Sequence, residues 1–314
     1  MIVTGNDQDE ISSSEQYLAS EFEMKQLGNL KYFLGIEVAR SKYGIFLCQR
    51  KYNIDLLSEI GLLGSKPVDT PIEQKHKPFQ CSNSANIVRG RYQRLVGKLI
   101  YLSHARPDIT YAVNVVSQFM HDARKLHMDD VERILRYLKS TLGKGILFTN
   151  HGNLKVEGYT DTDWAGSKDD RRFTSGYFTF VGGRLATWRS KKQPIVARSS
   201  VEAEFRGMAL GACELLWIKN VLSDLGFKQN KIMSLYYDNT LAIAIAHNLV
   251  QHDRTKHVEI HRHFIKEKLE AGIISFPFVR SKLQLVDVLT KGVSSRVFNE
   301  SLFKLGMCDI HAPT

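Results

Sequence analysis

The stretch from Val156 to Gly166, VEGYTDTDWAG, constrains the fold of this 314-residue chain more than any other. Apolar and polar residues alternate from Leu154 to Tyr159, which predicts a half-buried strand. The alternation leads into Asp161 and Asp163, so two carboxylates stand where the strand should end. Carboxylates on such a rigid frame suit a hard divalent cation, because Mg²⁺ prefers oxygen ligands. An isolated Asp-x-Asp pair also commonly opens a solvated turn, and this stretch by itself leaves both interpretations open.

The composition excludes several classes of protein. A hydrophobic content of 43% is too high for a largely disordered chain, and the length allows two domains. No apolar run approaches the roughly 18 residues of a membrane span, and the amino terminus lacks the basic and apolar regions of a signal peptide. We therefore expect a soluble, cytoplasmic protein with no membrane partner. The four cysteines form no CxxC pair, which argues against a zinc ribbon or a disulfide framework.

The formal net charge of +10 favours a polyanionic partner such as nucleic acid. The excess is spread along the chain: up to Asn150 there are 20 Lys and Arg against 16 acidic residues, and after it 23 against 17. Arg91 and Arg94 lie on a predicted helix and are candidates for contact with phosphates. Solvated faces of ordinary helices have the same composition, so this interpretation has a structural alternative.

The first half contains both α and β elements and offers no catalytic cluster. Two extended runs, Lys31–Ala39 and Gly44–Gln49, predict a β-hairpin, and the helix at Lys51–Ile60 should end at Gly61. The stretch Leu62–Arg89 holds three prolines and predicts a long irregular connection. Three helices should follow, at Tyr92–His104, Pro107–Met120 and Met128–Leu142, and the third carries its apolar residues on one face.

After Lys144 the predicted order is three strands, a helix, a strand, two helices, a strand and two final helices. The first three strands should form an antiparallel meander with a hairpin at Gly182-Gly183, and later strands are separated by helices. We therefore predict an α/β fold with a mixed five-stranded sheet and helices on its faces. The strands are predicted at Lys155–Asp161, Thr174–Val181, Arg184–Arg189, Ile232–Tyr237 and Ile273–Val279. Long helices are predicted at Ser200–Leu225 and His257–Ala271, and a short helix at Thr240–His247.

The long helix predicts which of its acids reaches the sheet. Its apolar residues recur at steps of three or four and should face the sheet. Glu204 lies four residues before Met208 and extends this stripe, whereas Glu202 lies about 200° away around a 3.6-residue turn. Helical geometry therefore prefers Glu204, although an ordinary first-turn acid stabilised by the helix dipole is the alternative. The stripe consists of Met208, Ala212, Leu215, Ile218, Leu222 and Leu225.

Two further acids have competing interpretations. Asp238 follows the apolar strand IMSLYY and precedes a helix, so it is also a candidate N-cap. Asp287 lies in a predicted helix, LQLVDVLTK, where a surface acid is the alternative. Taken one at a time, none of these acids defines a site.

Ten motifs are distributed, in order, along nearly the whole length of the chain. In the first half they are MKQLGNLKYFLGIEV, KYNIDLLSEIGL, DTPIE, YQRLVGKLIYLSHARPDITYAVNVVSQFM and VERILRYLKSTLGKGI, and in the second YTDTDWAG, SSVEAEFRGM, YYDNTLAI, KHVEIHRHFIKEK and QLVDVLTK. Together they closely resemble the carboxyl-terminal polymerase part of copia-type retrotransposon polyproteins. The resemblance implies a partial reverse transcriptase region (palm end, thumb and connection) at residues 1–143 and a ribonuclease H-like domain at residues 144–314.

The resemblance also implies four acids that bind metal, in the order first strand, first long helix, after the fourth strand, and late helix. They fall at Asp161, Glu204, Asp238 and Asp287, and the Thr-Asp step of the family motif favours Asp161 over Asp163. The implied cofactors are two Mg²⁺ or Mn²⁺ ions, roughly 3.5–4 Å apart, which activate water and stabilise the leaving oxygen. By analogy Asp161 bridges both ions, Asp287 helps to hold the ion on the water side, and the other two hold the second ion.

The implied substrate is the RNA strand of an RNA–DNA hybrid, whose 2′-hydroxyls line a wide minor groove. Ser199 and Ser200, just before the long helix, are small polar donors placed to read them. Other parts of the retrotransposon polyprotein are further expected partners. The histidines His257, His261 and His263 have a spacing that suggests zinc, but the family motif favours structural or nucleic-acid contacts.

Two departures from the family pattern limit the expected activity. The family's paired polymerase aspartates lie just before the position of Met1, and no pair followed by a strand replaces them in the first half. DNA synthesis by this chain alone is therefore not expected. Many ribonucleases H carry a histidine before the last acid, whereas VRSKLQLVD has none, which predicts slower cleavage or help from another group. The alternatives are a catalytically silent nucleic-acid-binding remnant and a general phosphatase or nuclease.

Overall fold

The computed structural model describes residues 2–3, 5, 7–25, 27–74, 76, 85, 87–149, 152–164, 172–197, 199–247 and 259–310. They form two five-stranded sheets with helices packed against them. Within these residues, no helix is both long enough and apolar enough to cross a membrane. The mixed α/β fold class predicted from the sequence is confirmed.

The helices and strands alternate in short runs along the chain. Up to residue 148 they are α1 (Gln8–Glu21), β1 (Tyr32–Phe33), β2 (Ile36–Ser41), β3 (Gly44–Cys48), α2 (Arg50–Glu59), α3 (Arg89–Ser103), α4 (Thr110–Ser117), α5 (Lys125–Ser140) and β4 (Lys144–Phe148). After it they are β5 (Val156–Asp163), β6 (Arg172–Val181), β7 (Arg184–Val196), α6 (Ser200–Asp224), β8 (Met233–Tyr236), α7 (Thr240–His247), α8 (Glu259–Glu270), β9 (Ile274–Ser275), α9 (Asp287–Thr290), α10 (Ser295–Lys304) and β10 (Met307–Asp309).

The second sheet has the order β7-β6-β5-β8-β9 and is mixed. β5, β6 and β7 form the predicted antiparallel meander, and β8 and β9 add parallel strands beside β5. Gly182 and Gly183 connect β6 to β7 with φ values of 58° and 75°. Two consecutive residues with positive φ are what a tight hairpin turn matching the strand twist requires.

Helix α6 lies close against β5 because small residues face it. A Cβ atom at Gly207 would come within 2.1 Å of Thr162 Oγ1, and one at Gly211 within 3.0 Å of a Leu235 methyl group. The buried hydroxyl of Thr160 lies 3.1 Å from the carbonyl oxygen of Gly207 and 3.1 Å from that of Gly176, so it can donate a hydrogen bond to either. These contacts fix the distance between α6 and β5, the strand that ends in the two aspartates.

Several elements of the second half pair with or pack against elements of the first half. β4 and β10 belong to the first sheet, whose order is β1-β2-β3-β4-β10. Val288 and Leu289 of α9 lie in one hydrophobic core with the buried residues of α3, α4 and α5. The indole N–H of Trp188 donates to the Ser103 carbonyl at 3.0 Å. The domain boundary at 143/144 stays a prediction; it falls directly before β4, which pairs with β3.

Three of the departures from the predicted elements concern α9, β9 and the end of α6. The helix predicted over LQLVDVLTK is reduced to the four residues of α9, preceded by a 3-10 turn at Ser281–Leu283. The strand predicted over Ile273–Val279 is only the two residues of β9 and an isolated bridge from Phe278 to Tyr237. Leu225, the last member of the apolar stripe, is 65% exposed because it follows the end of α6.

Two helical glycines give a matched test of the close packing between α6 and β5. Gly97 of α3 has nothing within 4 Å of its Cβ position, whereas Gly207 meets Thr162. We expect Gly97→Ala to stabilise the protein by about 0.5–1 kcal/mol through helix propensity. Gly207→Ala should instead destabilise it by about 1–3 kcal/mol through overpacking. Denaturant unfolding of both variants measures the difference, and equal effects would contradict the packing.

Candidate active site

Asp161 is the most buried of the four acids, with 6% of its surface exposed. It lies near the end of β5, opposite Gly176 of β6. Its Oδ2 accepts a hydrogen bond of 2.5 Å from the hydroxyl of Thr290, at the end of α9. Gly176 permits this contact, because a Cβ there would lie 2.9 Å from the Cβ of Leu289. The side of the sheet that carries Asp161 is therefore the side that α9 covers.

Asp238 reaches the same edge of the sheet through strand register. β5 and β8 are parallel, with Tyr159 opposite Tyr236 and their rings stacked at 4.7 Å. Asp161 and Asp238 each follow these tyrosines by two residues, so alternation directs both to the tyrosine side. Asp238 is half-buried, and the cap of α7 is the next residue, Asn239, whose Oδ1 accepts from the Ala242 N–H at 3.0 Å. The N-cap alternative for Asp238 is thereby removed.

Glu204 extends from the first turn of α6 to the residues on either side of Asp238. Its Oε2 accepts a short hydrogen bond from the hydroxyl of Tyr237, and its Oε1 accepts from Asn239 Nδ2 at 3.2 Å. Glu202 points elsewhere, as helical geometry predicted: its Oε1 pairs with Arg206 at 2.9 Å. Of these two acids, Glu204 is therefore the one beside the sheet edge.

Asp287 begins α9 and faces Asp161 across a lysine. Lys291 Nζ lies 2.8 Å from Asp287 Oδ1 and 4.0 Å from Asp161 Oδ2. The buried amide of Gln284 fixes the approach to α9, because its Nε2 donates to the Thr160 carbonyl at 3.0 Å. Residues 126 positions apart in sequence thus meet at one end of the sheet.

The structure also separates Asp161 from Asp163, which strand parity cannot do. Asp163 is half-buried and lies beside α4. Burial raises the pKa of Tyr111 on that helix, and the charge of Asp163 raises it further. Asp161 lies instead within the influence of Asp238, Glu204 and Lys291. Of the two aspartates, Asp161 is the one surrounded by the other acids.

Burial and mutual repulsion make three of these acids, Glu204, Asp287 and Asp161, hard to ionise. Burial raises the pKa of Glu204 to about 8; the hydrogen bond from Asn239 opposes this change, and Asp161 and Asp238 add to it. Burial likewise raises the pKa of Asp287 to about 6, against the favourable charge of Lys291. The pKa of Asp161 is also raised by burial, and Lys291 and Thr290 lower it in part. A nearby cation would favour the ionised form of every one of them.

The donor set fits a hard divalent cation by its chemistry. All four side chains offer carboxylate oxygens, the ligands such ions prefer, and burial raises the pKa of Glu204 and of Asp287. Among the described residues, however, no three His, Cys, Asp or Glu side chains are already gathered closely enough to hold a metal ion. Glu204 is held by its hydrogen-bond donors and Asp287 by Lys291, so binding would require these side chains to exchange partners.

The predicted nucleic-acid contacts lie at two separate places. Ser199 and Ser200 are exposed at the start of α6, where the Ser199 hydroxyl caps the helix by accepting from the Glu202 N–H at 3.2 Å. Arg91 and Arg94 are exposed on α3. Among the histidines, His257 lies outside the described residues. His261 and His263 lie on α8, and burial lowers the pKa of His261.

Four residues around the acids were missed by the sequence analysis. Thr290 and Lys291 lie three and four positions after Asp287, a spacing that places them on the same helical face. This signal was available in the motif DVLTK. Tyr237 and Asn239 flank Asp238, but their bonds to Glu204 depend on the distance between α6 and β8, which the sequence does not give.

The strand order β7-β6-β5-β8-β9, with an antiparallel meander and two parallel strands, is that of a ribonuclease H-like fold. The reverse transcriptase (RNA-dependent DNA polymerase) family matches residues 1–74. Over 307 residues the chain is 39% identical to the retrovirus-related Pol polyprotein from transposon RE1 of Arabidopsis thaliana, covering 98% of this chain and 21% of that protein. It is 38% identical over 221 residues to an uncharacterized mitochondrial protein of the same plant, covering 69% of this chain and 90% of that one.

Among solved structures, ribonuclease H1 from the halophilic archaeon Halobacterium salinarum NRC-1 aligns with 48% of this chain and 98% of its own. Its sequence identity is 17% and its TM-score 0.31. The chain belongs to the family of copia-type retrotransposon Pol polyproteins. It spans about a fifth of the length of the curated Pol relatives that it matches.

The acid cluster predicts how the stability of the metal-free protein depends on pH. A carboxyl with a raised pKa in the folded state binds more protons there than when unfolded, so stability is lost as pH rises through that range. With Glu204 raised from 4.5 to about 8, the melting temperature in EDTA should fall by several degrees between pH 5 and pH 8. Glu204→Gln should flatten this fall, because the amide stays neutral. Glu132→Gln, an exposed acid on α5, is the control, and an unchanged slope in Glu204→Gln would contradict the cluster.

Proposed function

We propose that this protein is a metal-dependent ribonuclease H that cleaves the RNA strand of RNA–DNA hybrids. The observation that carries the proposal is that Asp161, Glu204, Asp238 and Asp287 lie along one sheet edge, where Asp161 and Asp238 both act electrostatically on Glu204 and on Asp287. These acids come from four separate elements, and their electrostatic coupling is the kind that marks functional sites. Membership of the Pol family supports a substrate that is nucleic acid.

Each acid has a role in the proposed reaction. Two Mg²⁺ or Mn²⁺ ions, when bound, would activate the attacking water and stabilise the leaving oxygen. Asp161, the central acid, would bridge them. Asp287 would help to hold the ion on the side of the attacking water. Glu204 and Asp238 would hold the ion on the side of the leaving group.

The residues around the acids hold the carboxylates at the sheet edge before metal binds. Thr290 fixes one oxygen of Asp161, and Gln284 fixes the strand just before it. Tyr237 and Asn239 hold the two oxygens of Glu204 at the edge of the sheet. Such orientation by neighbouring hydrogen bonds is a general requirement of metal-binding carboxylates.

Substrate recognition is proposed to use both predicted surfaces. The exposed Ser199 and Ser200 supply hydroxyls for the 2′-hydroxyls of the RNA strand. The exposed Arg91 and Arg94 supply charge for phosphates, in keeping with the net charge of +10. Other segments of the retrotransposon polyprotein are proposed as partners. A catalytically silent binding remnant is the rival, and the intact acid cluster weighs against it.

Cleavage of defined substrates tests the proposal. With Mg²⁺ or Mn²⁺, the purified protein should cut the RNA strand of a hybrid and leave double-stranded RNA and double-stranded DNA intact. Asp161→Asn should lower the rate by about a thousandfold or more, because an amide cannot supply the anionic oxygen that the ions need. Asp163→Asn, two residues away, should retain activity. The assignment would be overturned if Asp161→Asn cleaved as fast as the original protein, or if only Asp163→Asn lost activity.

A salt series separates phosphate contacts from solvated arginines. If Arg91 and Arg94 meet phosphates, the double change to Gln should flatten the slope of log affinity against log salt by roughly 0.7–0.9 per contact. Hybrid binding is measured in Ca²⁺ to suppress cleavage. Arg296→Gln on α10, an exposed arginine paired with Glu300, is the matched control. Identical slopes for all three proteins would show that the two arginines only face solvent.

A further inference from the structure

Lys291 is the one cation that touches two of the candidate ligands within the described part of the chain. Its ammonium lies 2.8 Å from Asp287 and 4.0 Å from Asp161. The hydroxyl of the preceding residue, Thr290, binds the same oxygen of Asp161. Positive charge is therefore already present between two acids that face each other across the site.

The backbone around Lys291 is fixed by the first half of the chain. Its N–H donates to the Asp287 carbonyl at 3.0 Å. The next residue, Gly292, is so close to the loop before α3 that a Cβ would lie 2.4 Å from the Glu73 carbonyl. That loop is held in turn by Arg133, which donates to the Glu73 carboxylate at 2.9 Å. The lysine backbone is thus held in place, while its side chain is 45% exposed and has room to swing outward.

We propose that Lys291 is a resident counter-ion, which occupies the cation position between Asp161 and Asp287 until a divalent ion displaces it. It stabilises the metal-free protein, and it raises the metal concentration needed for binding. This inference rests on the proposed function, since it assumes that these acids bind metal.

The physical basis is competition between like charges. An ammonium and a divalent ion cannot share two carboxylates without strong repulsion. A single charge at such a distance typically changes the equilibrium of its neighbour by about tenfold to a thousandfold. Removing the ammonium should therefore tighten metal binding, although it leaves the metal-free acids without their partner.

Calorimetric titration with Mn²⁺, in the absence of nucleic acid, tests the inference. Lys291→Met and Lys291→Gln should each bind Mn²⁺ about tenfold or more tightly than the original protein, because the competing charge is gone. In EDTA at neutral pH both should melt at a lower temperature. Lys291→Arg keeps the charge and should stay close to the original protein. Lys125→Met, which removes a lysine from another i,i+4 pair on α5, controls for net charge.

The outcomes separate this inference from the proposed function. Unchanged or weaker Mn²⁺ binding in both neutral variants would overturn the counter-ion role, even if Asp161→Asn abolishes binding in the same assay. If the original protein binds no Mn²⁺ and Asp161→Asn makes no difference, the proposed function itself fails and the inference falls with it. Tighter binding in Lys291→Met and Lys291→Gln, with Lys291→Arg and Lys125→Met unchanged, supports the inference.

Discussion

The parallel pairing of β5 with β8 is the constraint on which the candidate site depends. Parallel strands end at the same edge of a sheet, so the register of Tyr159 with Tyr236 brings Asp161 beside Asp238. An antiparallel pair would place the two strand ends at opposite edges. Glu204 reaches this edge only because α6 approaches β5 closely at Gly207 and Gly211. The site thus follows from backbone geometry before any side chain is considered.

Four acids at one edge repel one another, and the surrounding donors offset that repulsion. Tyr237 and Asn239 donate to Glu204, Thr290 donates to Asp161, and Lys291 pairs with Asp287. Burial still keeps the pKa of Glu204 at about 8. Buried carboxyl groups of this kind cost stability, and proteins retain them mainly where they serve a function. The core shared by α9 and the first half holds the last acid in place against this cost.

Local patterns predicted much of this arrangement, and long-range packing decided the rest. Alternation identified β5, and the apolar stripe of α6 correctly directed Glu204 to the sheet and Glu202 away from it. The helix predicted around Asp287 was too long, because the residues before Asp287 are not α-helical and Gln284 instead donates a hydrogen bond to the Thr160 carbonyl of β5. Periodicity could not choose between Asp161 and Asp163, since the choice depends on α9, which is far away in sequence. Nor could it predict that β4 and β10 would join the first sheet.

Anomalous scattering from crystals soaked in Mn²⁺ tests the central claim most directly. The account predicts manganese peaks against the carboxylate of Asp161, shared with Asp238 and Glu204 on one side and Asp287 on the other, with the Lys291 ammonium moved outward. Hydrogen bonds from Tyr237 to Glu204 would be exchanged for metal ligation in the same maps. Manganese bound only at His261 and His263, or no peak beside Asp161 at saturating metal, would contradict the account.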